Sequence, residues 1–500
     1  MTARLVISVD CSTTGSKAVV WDEHGNAVAE GRQEIELSIP HDGWGEQDPE
    51  HWWDATSRAI REAAEKVGPQ NIAAIGITHQ RESFVCLDEN GKAIRPAMLW
   101  LDTRAHQEVR QFGTSEVHTS TGKPANPTPS FYKLMWLKTN EPEVLPSTAI
   151  IADVHTYLSF RLTGKYISPA ASVDPMGLLD LKTATYSQAI LATLGVSEKQ
   201  LPEVCQSGDV IGQLTEEVAA QLGLASSVVL VAGGGDGQCA GLGAGVVDAG
   251  IGYLNLGTGL IAGVYTEDYR PSYAYRAMMG TIANSVNYEF FVGAGTYLVN
   301  WFKKHQNLGD YEGKSAEQYW NDKAATVPIG SLGLFTLPYW NGALTPYWDQ
   351  NARGAIIGYS GIHENEHLFR SILEGIAFEL RVCLESASAT LREPLSCLIA
   401  MGGGARSPLW CQMLADILRI PITIARSEES TSLGAGMLAF AAIGIYPDAR
   451  TAAKAMSGTR ETYSPNLEAA LEYDKYFEIF RGLYPALKPV FASLAEVNQS

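Results

Sequence analysis

A turn of small residues joins two apolar runs in VISVDCSTTGSKAVVWDE, residues 6–23. Both runs are short, rich in valine and bounded by turn residues, which favours two β-strands. A stretch of the same plan, YLNLGTGLIAGVYTED at residues 253–268, follows about half a chain later. This repeated hairpin predicts a duplicated architecture, with a first domain at residues 1–245 and a second at residues 246–500.

Helices and hydrophobic strands alternate through the rest of the chain. Asp48 followed by Pro49 predicts a helix over residues 49–67, because aspartate is a common N-cap and proline is favoured at the first helical position. The apolar run NIAAIGIT at residues 71–78 predicts a buried strand. Hairpins mixed with helices and isolated hydrophobic strands indicate an α/β fold with mixed sheets.

Length and composition indicate an acidic globular protein of more than one domain. The 500 residues are too many for a single core. The chain is 46% hydrophobic and 18% charged, an ordinary globular balance. Its formal charge of −18 argues against nucleic acid or an anionic membrane as a main partner. A phosphate ligand stays compatible with this charge, because backbone dipoles bind anions locally.

The cysteines and the N-terminus indicate the compartment. Seven scattered cysteines, without a CxxC pair, predict reduced thiols. The first residues, MTARLVISVD, lack the long apolar segment of a secretory signal. No run approaches the roughly eighteen apolar residues of a membrane span. We therefore expect a soluble, cytoplasmic protein with no membrane partner, and a homodimer is an open alternative for its assembly.

Three turns of small residues each follow an apolar strand: the first turn at residues 10–17, the second at 255–260 and the third at 400–407. Turns without bulky side chains expose consecutive N–H groups, which form concave anion sites. None fits the Walker pattern, and a single such turn is more often structural. Three in one chain, two of them related by the repeat, favour a site for nucleotide phosphates.

Two aspartates end apolar strands, Asp10 in the first turn and Asp236 in a predicted glycine turn, GGGDGQ. Strand ends are where α/β sheets place ligand sites. A carboxylate there can hold Mg²⁺ through water or accept a proton from an attacking hydroxyl. The alternative is an Asx-turn or a helix N-cap. Four glycines that admit a close ligand favour the functional role for Asp236, whereas both interpretations stay open for Asp10.

A cluster of polar and planar groups follows the strand NIAAIGIT. Gln80, Arg81 and Glu82 come just after that strand, and arginine donors beside a glutamate acceptor suit vicinal hydroxyls. Trp100 offers a flat apolar face of the kind that packs against the C–H side of a sugar. The alternative is a surface Arg81–Glu82 pair and a core tryptophan. His79 is interpreted as a structural hydrogen-bonding residue.

Over about residues 4–445 the chain resembles the FGGY carbohydrate kinases. The resemblance is carried by DCSTTGSKAVVWD, WGEQDPEHWW, GITHQRES, LWLDTRA, GGGDGQCAGLGAG, NLGTGL and MGGGARSPLWCQMLADIL. It implies an α/β fold of two duplicated actin-like (ribonuclease H-like) ATPase domains around a central cleft. It also implies an enzyme that transfers the γ-phosphoryl group of Mg·ATP to a hydroxyl of a small sugar or polyol.

The resemblance further implies roles for individual residues. Asp236 matches the catalytic base and, together with Asp10, a Mg²⁺ site. The residues that match sugar contacts are Gln80, Arg81, Glu82, Trp100 and Asp236. The residues that match the ATP site are Asp10, Ser12, Thr13, Thr14, Lys17, Gly257, Thr258, Gly259, Gly403, Gly404 and Ser407.

Different motifs point to different substrates. THQRES is similar to the glycerol kinases, but Thr128, Gly237 and Ile261 stand where those enzymes have a tyrosine, a glutamine and a phenylalanine. Smaller residues predict a roomier pocket, and WGEQDPEHWW and GGGDGQCAG look like the xylulokinase branch. We expect a ketopentose such as D-xylulose, with glycerol or another short polyol as the alternative. A non-enzymatic actin-like ATPase is the alternative from another class, but it would not need HQRE beside Asp236.

Overall fold

The structure, a computed structural model, describes residues 4–307, 309, 311–391 and 393–499. The strands of the first half are β1 (Leu5–Cys11), β2 (Gly15–Trp21), β3 (Ala27–Glu34), β4 (Glu46–Gln47), β5 (Ile72–His79), β6 (Phe84–Leu87), β7 (Ala97–Met98), β8 (Ile150–Asp153), β9 (Ile167–Pro169), β10 (Leu179–Asp180), β11 (Thr185–Tyr186), β12 (Glu203–Cys205), β13 (Val210–Gln213) and β14 (Val229–Gly235). Its helices are α1 (Pro49–Val67), α2 (His106–Phe112), α3 (Ser115–Thr121), α4 (Ser130–Asn140), α5 (Val144–Ser147), α6 (Val154–Thr163), α7 (Ala170–Val173), α8 (Gln188–Leu194), α9 (Glu216–Leu222) and α10 (Asp236–Gly243).

The second half is built in the same way. Its strands are β15 (Ile251–Leu256), β16 (Leu260–Thr266), β17 (Arg276–Met279), β18 (Val286–Val292), β19 (Phe335–Leu337), β20 (Ala355–Ile357), β21 (Cys397–Met401), β22 (Ile422–Ala425) and β23 (Thr459–Tyr463). Its helices are α11 (Thr296–His305), α12 (Ala316–Thr326), α13 (Asn365–Ala387), α14 (Pro408–Leu418), α15 (Ser430–Ala442), α16 (Ala449–Met456) and α17 (Leu467–Gln499).

The two main sheets share one topology. The first has the order β13-β14-β5-β1-β2-β3, and the second has the order β17-β18-β16-β15-β21-β22-β23. In the first, β1 is antiparallel to β2 and parallel to β5. In the second, β15 is antiparallel to β16 and parallel to β21. The order β3-β2-β1-β5-β14 thus recurs as β18-β16-β15-β21-β22, which confirms the predicted duplicated α/β fold.

Local sequence signals account for several element ends. The predicted helix begins at Pro49 and ends at Val67, and the side chain of Asp48 accepts a hydrogen bond from the N–H of Glu50, as expected of an N-cap. The predicted glycine turn before Asp236 is wrong, because β14 continues to Gly235 and α10 begins at Asp236. A Cβ at Gly233 would lie 1.7 Å from the carbonyl oxygen of Ile77, so glycine is needed to pair β14 with β5.

Two helices of small residues cross between the halves. A Cβ at Gly243 of α10 would lie 1.8 Å from the carbonyl oxygen of Ser430, and a Cβ at Gly434 of α15 would lie 2.0 Å from that of Cys239. Helix α15 also contacts the first sheet, where Ser432 shares a 2.5 Å hydrogen bond with Ser8. Packing in space therefore crosses the predicted boundary between residues 245 and 246.

Two further features bear on the predicted compartment. All seven cysteines are free thiols, as the sequence predicts. Within the described ranges, no helix combines the length and the apolar character that a bilayer crossing requires.

Candidate active site

The ends of three parallel strands bring the predicted site residues to one edge of the first sheet. In the β1–β5 ladder Asp10 pairs with Thr78, and in the β14–β5 ladder Gly235 pairs with His79. Asp10, Asp236 and the segment 80–82 therefore all leave the sheet at the same level. The duplicated fold places the second turn, between β15 and β16, at the equivalent edge of the second sheet.

Asp236 presents a carboxylate that is held on one side only. Its side chain is 48% exposed, and Nε of Arg81 lies 2.8 Å from its Oδ1. The N–H of Gly237 donates a 2.7 Å hydrogen bond to the same oxygen. Within the described residues both contacts fall on Oδ1, so Oδ2 is the oxygen that can receive a hydroxyl.

Gln80, Arg81 and Glu82 are buried, so the alternative of a surface Arg81–Glu82 pair is wrong. The amide oxygen of Gln80 accepts hydrogen bonds from Thr13 at 3.0 Å and Ser83 at 3.2 Å. The ion pairs of Arg81 and Glu82 are made with residues from distant parts of the chain. Direct contact of these three residues with a sugar stays a prediction.

The glycines beside Asp236 make room for protein groups. A Cβ at Gly235 would lie 2.5 Å from Cγ of Arg81, and a Cβ at Gly237 would lie 2.6 Å from Oε1 of Glu289. The room that the sequence predicts at position 237 is therefore occupied by Arg81 and Glu289. Sequence reasoning missed Glu289, although a glutamate inside the apolar run VNYEFFV is a signal that could have identified it.

Trp100 is half-buried and connects to the first turn. Its indole Nε1 donates a 2.9 Å hydrogen bond to Oγ1 of Thr13. Thr13 in turn donates its hydroxyl hydrogen to Gln80. Because that hydrogen is used within the protein, Thr13 offers a phosphate its backbone N–H in this arrangement.

The other residues of the first turn have distinct placements. The hydroxyl of Ser12 donates a 2.8 Å bond to the carbonyl of Gly15 and closes the turn, whereas Thr14 is exposed. Nζ of Lys17 lies 2.8 Å from Oε1 of Glu429 and 2.9 Å from Oε2 of Glu30. Lys17 thus links the two halves by an ion pair.

Asp10 has the electrostatic character of a cation ligand. Its Oδ1 is buried and accepts no hydrogen bond from the described residues. Burial raises the pKa of Asp10 to about 7, the carboxylates of Asp236 and Glu429 add to that rise, and Lys17 opposes it. A buried oxygen without a donor, among carboxylates, suits a hard divalent cation such as Mg²⁺. The described residues form no group of three or more metal-ligating side chains, so phosphate and water would supply the other ligands.

Residues at the start of helix α11 support the second turn by backbone hydrogen bonds. The N–H groups of Gly295 and Tyr297 donate to the carbonyl of Thr258 at 2.9 and 3.0 Å. A Cβ at Gly295 would lie 2.6 Å from the carbonyl oxygen of Gly257, so the start of α11 approaches the turn closely. Thr258 is exposed, and Gly257 and Gly259 are half-buried, which leaves the outer side of this turn open to a ligand.

The third turn borders a cavity of about 200 Å³. Ser407 caps α14 by accepting from the N–H of Trp410 at 3.2 Å, and it donates to Asn321 at 2.8 Å. The predicted residues Gly403 and Gly404 line this cavity together with Ser407 and Asn321. Its mixture of an aromatic wall, amide groups and exposed turn suits a flat heterocycle with polar edges.

His79 has a structural environment. Its Nδ1 is 2.7 Å from the carbonyl oxygen of Gln80, and its Nε2 is 2.8 Å from the hydroxyl of Ser172. Burial lowers the pKa of His79 below its usual value. Both ring nitrogens are thus used inside the protein, in agreement with the structural role predicted for this residue.

Comparisons with known proteins cover nearly the whole chain. Residues 5–243 match the N-terminal domain, and residues 252–443 the C-terminal domain, of the FGGY family of carbohydrate kinases. A xylulose kinase of Lactococcus lactis is 30% identical to this chain, with 99% of each chain covered.

Solved structures of sugar kinases are also similar to this chain over nearly its whole length. The gluconate kinase from Lactobacillus acidophilus is similar with a TM-score of 0.92 and 29% identity, covering 98% of this chain and 100% of its own. The ligand-bound xylulose kinase from the same organism has a TM-score of 0.91 and 29% identity, with the same coverage.

Proposed function

This chain belongs to the FGGY family of carbohydrate kinases and is an ATP-dependent sugar kinase, and we propose that it phosphorylates a terminal hydroxyl of an open-chain ketopentose such as D-xylulose. Two of the similar proteins, the Lactococcus relative and one Lactobacillus structure, are named xylulose kinases. The observation that supports the proposal best is the half-exposed Asp236, with Oδ1 held 2.8 Å from Nε of Arg81 and Oδ2 left without a contact from the described residues.

Asp236 acts as the base in this proposal. Its Oδ2 accepts a hydrogen bond from the attacking hydroxyl, orients that oxygen toward the γ-phosphorus and takes its proton as the new bond forms. Because phosphoryl transfer passes through a loose transition state, correct positioning supplies most of the effect. Arg81 keeps the carboxylate at its place by the contact with Oδ1.

The three turns hold ATP. Backbone N–H groups of Thr13 and Thr14 in the first turn, and of Gly257–Gly259 in the second turn, bind the phosphate oxygens. The N–H of Ser12 is already used, because it donates to the carbonyl of Gly15 at 2.9 Å. The adenosine lies in the cavity beside Gly403, Gly404 and Ser407, which is lined by Asn321 and Trp410. A nucleotide held there spans the cleft between the halves.

Asp10 would hold Mg²⁺, with Asp236 as the neighbouring carboxylate. When bound, Mg²⁺ neutralises charge on the phosphate oxygens. Asp10 is half-buried with one unpartnered oxygen, so it supplies an acceptor that costs no hydrogen bond within the protein.

The sugar lies between Asp236 and Trp100. Trp100 presents its half-buried ring to the C–H face of the chain, and Gln80, Arg81 and Glu82 form the polar wall behind it. Closure of the halves excludes water, which limits transfer of the phosphoryl group to solvent.

An ADP-release screen tests the proposal. D-xylulose, L-xylulose, ribulose, ribitol, xylitol, erythritol, glycerol and gluconate are compared by kcat/KM with the purified chain. We expect the highest value for a ketopentose. A highest value for glycerol would instead favour the alternative that the triplet of Gln80, Arg81 and Glu82 supports. Nucleotide hydrolysis that responds to no polyol would reject both.

A further inference from the structure

A charge network of four buried residues joins the two halves next to Asp236. Nη1 of Arg81 lies 2.9 Å from both carboxylate oxygens of Glu289, and Nη2 of Arg276 lies 2.9 Å from Oε2. Arg276 also pairs with Glu82 at 3.1 Å. Arg81 and Glu82 belong to the first half and the other two to the second, so the network crosses between the halves at the base of the site.

The strands of the second half are shaped to hold Glu289. A Cβ at Gly263 would lie 2.1 Å from the ring of Tyr253, so the missing side chain lets that ring lie across β16. The hydroxyl of Tyr253 then donates a 2.7 Å hydrogen bond to Glu289. Gly237 on α10 leaves the space that the Glu289 carboxylate fills. Glu289 is therefore held by three residues from three separate parts of the chain, Arg81, Tyr253 and Arg276.

Glu289 stays ionised within this environment. Burial alone would raise its pKa, but the guanidinium groups of Arg81 and Arg276 outweigh burial and lower the pKa to about 2. Replacing the fully buried carboxylate of Glu289 removes one ionic partner from each of the two arginines, Arg81 and Arg276. For Arg81, the carboxylate that then remains in contact is Asp236, so a change in the position of Arg81 acts directly on Asp236.

The geometry of the guanidinium group determines how Arg81 responds to the loss of Glu289. With Nη1 directed to Glu289, Arg81 meets Asp236 through Nε and engages one oxygen. Guanidinium groups bind carboxylates preferentially through two parallel N–H donors. Without Glu289, Asp236 becomes the carboxylate available for such pairing, and Oδ2 is drawn away from the substrate hydroxyl.

We propose that Glu289 is a positioning residue for phosphoryl transfer: it directs Arg81 so that this arginine holds Oδ1 of Asp236 and leaves Oδ2 for the sugar hydroxyl. The proposal rests on the proposed function, in which Asp236 is the base. Arg276 supports the same arrangement by its contacts with Glu289 and Glu82. The residue thus acts from the second half on a base of the first half.

The test compares two identical changes at buried glutamates. Glu289→Gln removes the charge in the network, and Glu374→Gln is the matched control, because Glu374 is also buried in the second half and is paired with an arginine, Arg370, at 2.7 Å. For each variant kcat, the KM for ATP and the KM for the best sugar are measured, together with the unfolding midpoint. Glu289→Asp serves as the conservative variant.

We expect Glu289→Gln to lower kcat about 10- to 100-fold with little change in the KM for ATP, since a misplaced base impairs the chemical step. Glu289→Asp should recover part of that loss, and Glu374→Gln should keep kcat within about 3-fold. Equal kcat in the two glutamine variants would overturn the proposal. If Glu289→Gln does not fold, Glu289→Asp is compared with Glu374→Asp, and equal kcat again overturns the proposal.

The same data separate this proposal from the proposed function. If wild-type protein phosphorylates no sugar although it binds ATP, the proposed function fails. If wild-type protein is active and Asp236→Ala retains kcat, the assigned base fails. If both of those hold as proposed and only Glu289→Gln behaves like its control, the positioning role alone is rejected.

Discussion

The indole Nε1 of Trp100 lies 2.9 Å from Oγ1 of Thr13, which ties the proposed sugar wall to the first phosphate turn. The hydroxyl of Thr13 in turn donates a 3.0 Å hydrogen bond to the amide oxygen of Gln80. One hydroxyl therefore connects an aromatic wall, a polar wall and a turn. A substitution that alters any of the three should therefore change the KM for the sugar.

Thr13→Val should raise the KM for the sugar about 10-fold. The variant leaves Nε1 of Trp100 without its acceptor and removes one of the two donors to the amide oxygen of Gln80, the other being Ser83. An unpaired buried polar group costs about 1–3 kcal/mol. Steady-state kinetics with both substrates measures the effect. Thr14→Val is the matched control, because Thr14 is the exposed neighbour. That control should change the KM for ATP instead, and a larger sugar effect in Thr14→Val would contradict the assignment.

Asp236→Ala should lower kcat by about 10²- to 10⁴-fold while ATP binding stays near normal, since base and positioning are lost together. The variant protein should fold, because the side chain is half exposed and Arg81 keeps its contact with Glu289. ADP release gives kcat, and calorimetric titration with ATP gives the affinity. Near-normal turnover would reject Asp236 as the base.

Gly237→Gln should not create a glycerol kinase. A Cβ at this position would lie 2.6 Å from Glu289 and 2.9 Å from Nη2 of Arg81, so the larger side chain must displace the charge network. We expect the free energy of unfolding to fall by about 1–3 kcal/mol and activity to fall with every sugar.

The control for this change is Gly482→Gln in α17, where a Cβ would meet no atom within 4 Å. This control should keep its stability, because glutamine has a better helix propensity than glycine. A gain of glycerol activity in Gly237→Gln, with unchanged stability, would show that the network does not define the pocket.

Asp10→Asn should stabilise the protein more at pH 8 than at pH 5.5. The folded state raises the pKa of Asp10 from 3.8 to about 7, so the folded protein holds a proton that the unfolded chain has released. Stability therefore falls as pH rises from about 4 to 7, and asparagine removes that fall. The gain should grow by about 2 kcal/mol between the two pH values, while kcat decreases because the cation ligand is lost.

Denaturant unfolding of the wild type and of Asp10→Asn at both pH values measures whether the gain in stability is larger at pH 8. Asp248→Asn is the control, because the hydrogen bond with Lys454 lowers the pKa of Asp248. This carboxylate is ionised at both pH values, so its replacement should change stability by the same amount at each. An equal gain for Asp10→Asn at both pH values would mean that the carboxyl does not titrate in this range.

Gly403→Val should raise the KM for ATP about 10-fold and leave the sugar KM and the stability unchanged. A Cβ at Gly403 meets no atom within 4 Å, so the new side chain points into open space at the edge of the proposed adenosine cavity. The same substitution at exposed Gly361, which is equally free of neighbours, is the control. Equal kinetics of the two variants would place the adenosine elsewhere.

Patterns of consecutive residues were sufficient for much of the fold. The helix at Pro49–Val67 is predicted by Asp48 and Pro49, because capping is a local interaction between neighbouring groups. The repeated hairpin, β1–β2 and β15–β16, is predicted by apolar runs on either side of a small-residue turn. Both signals act over a few residues, which is why they can be read without knowledge of the remaining chain.

The glycines near Asp236 show where such patterns reach their limit. GGGDGQ has the composition of a turn, but Gly233 is inside β14 because β5 lies against it. The absence of a side chain at Gly237 predicts open space in the pocket, but Arg81 and Glu289 fill that space. In both places the neighbour that explains the glycine comes from a distant part of the chain.

Local sequence thus established the repeated hairpin, the helix at Pro49–Val67 and the chemistry available at the strand ends. Propensity, capping and motif spacing are properties of adjacent residues. The pairing of Arg81 with Glu289, and hence the single free oxygen of Asp236, depends on residues 208 positions apart that only the packed halves bring within 2.9 Å. Charges at such separations interact once folding removes the water between them, so their partners are set by the assembled core and its low dielectric.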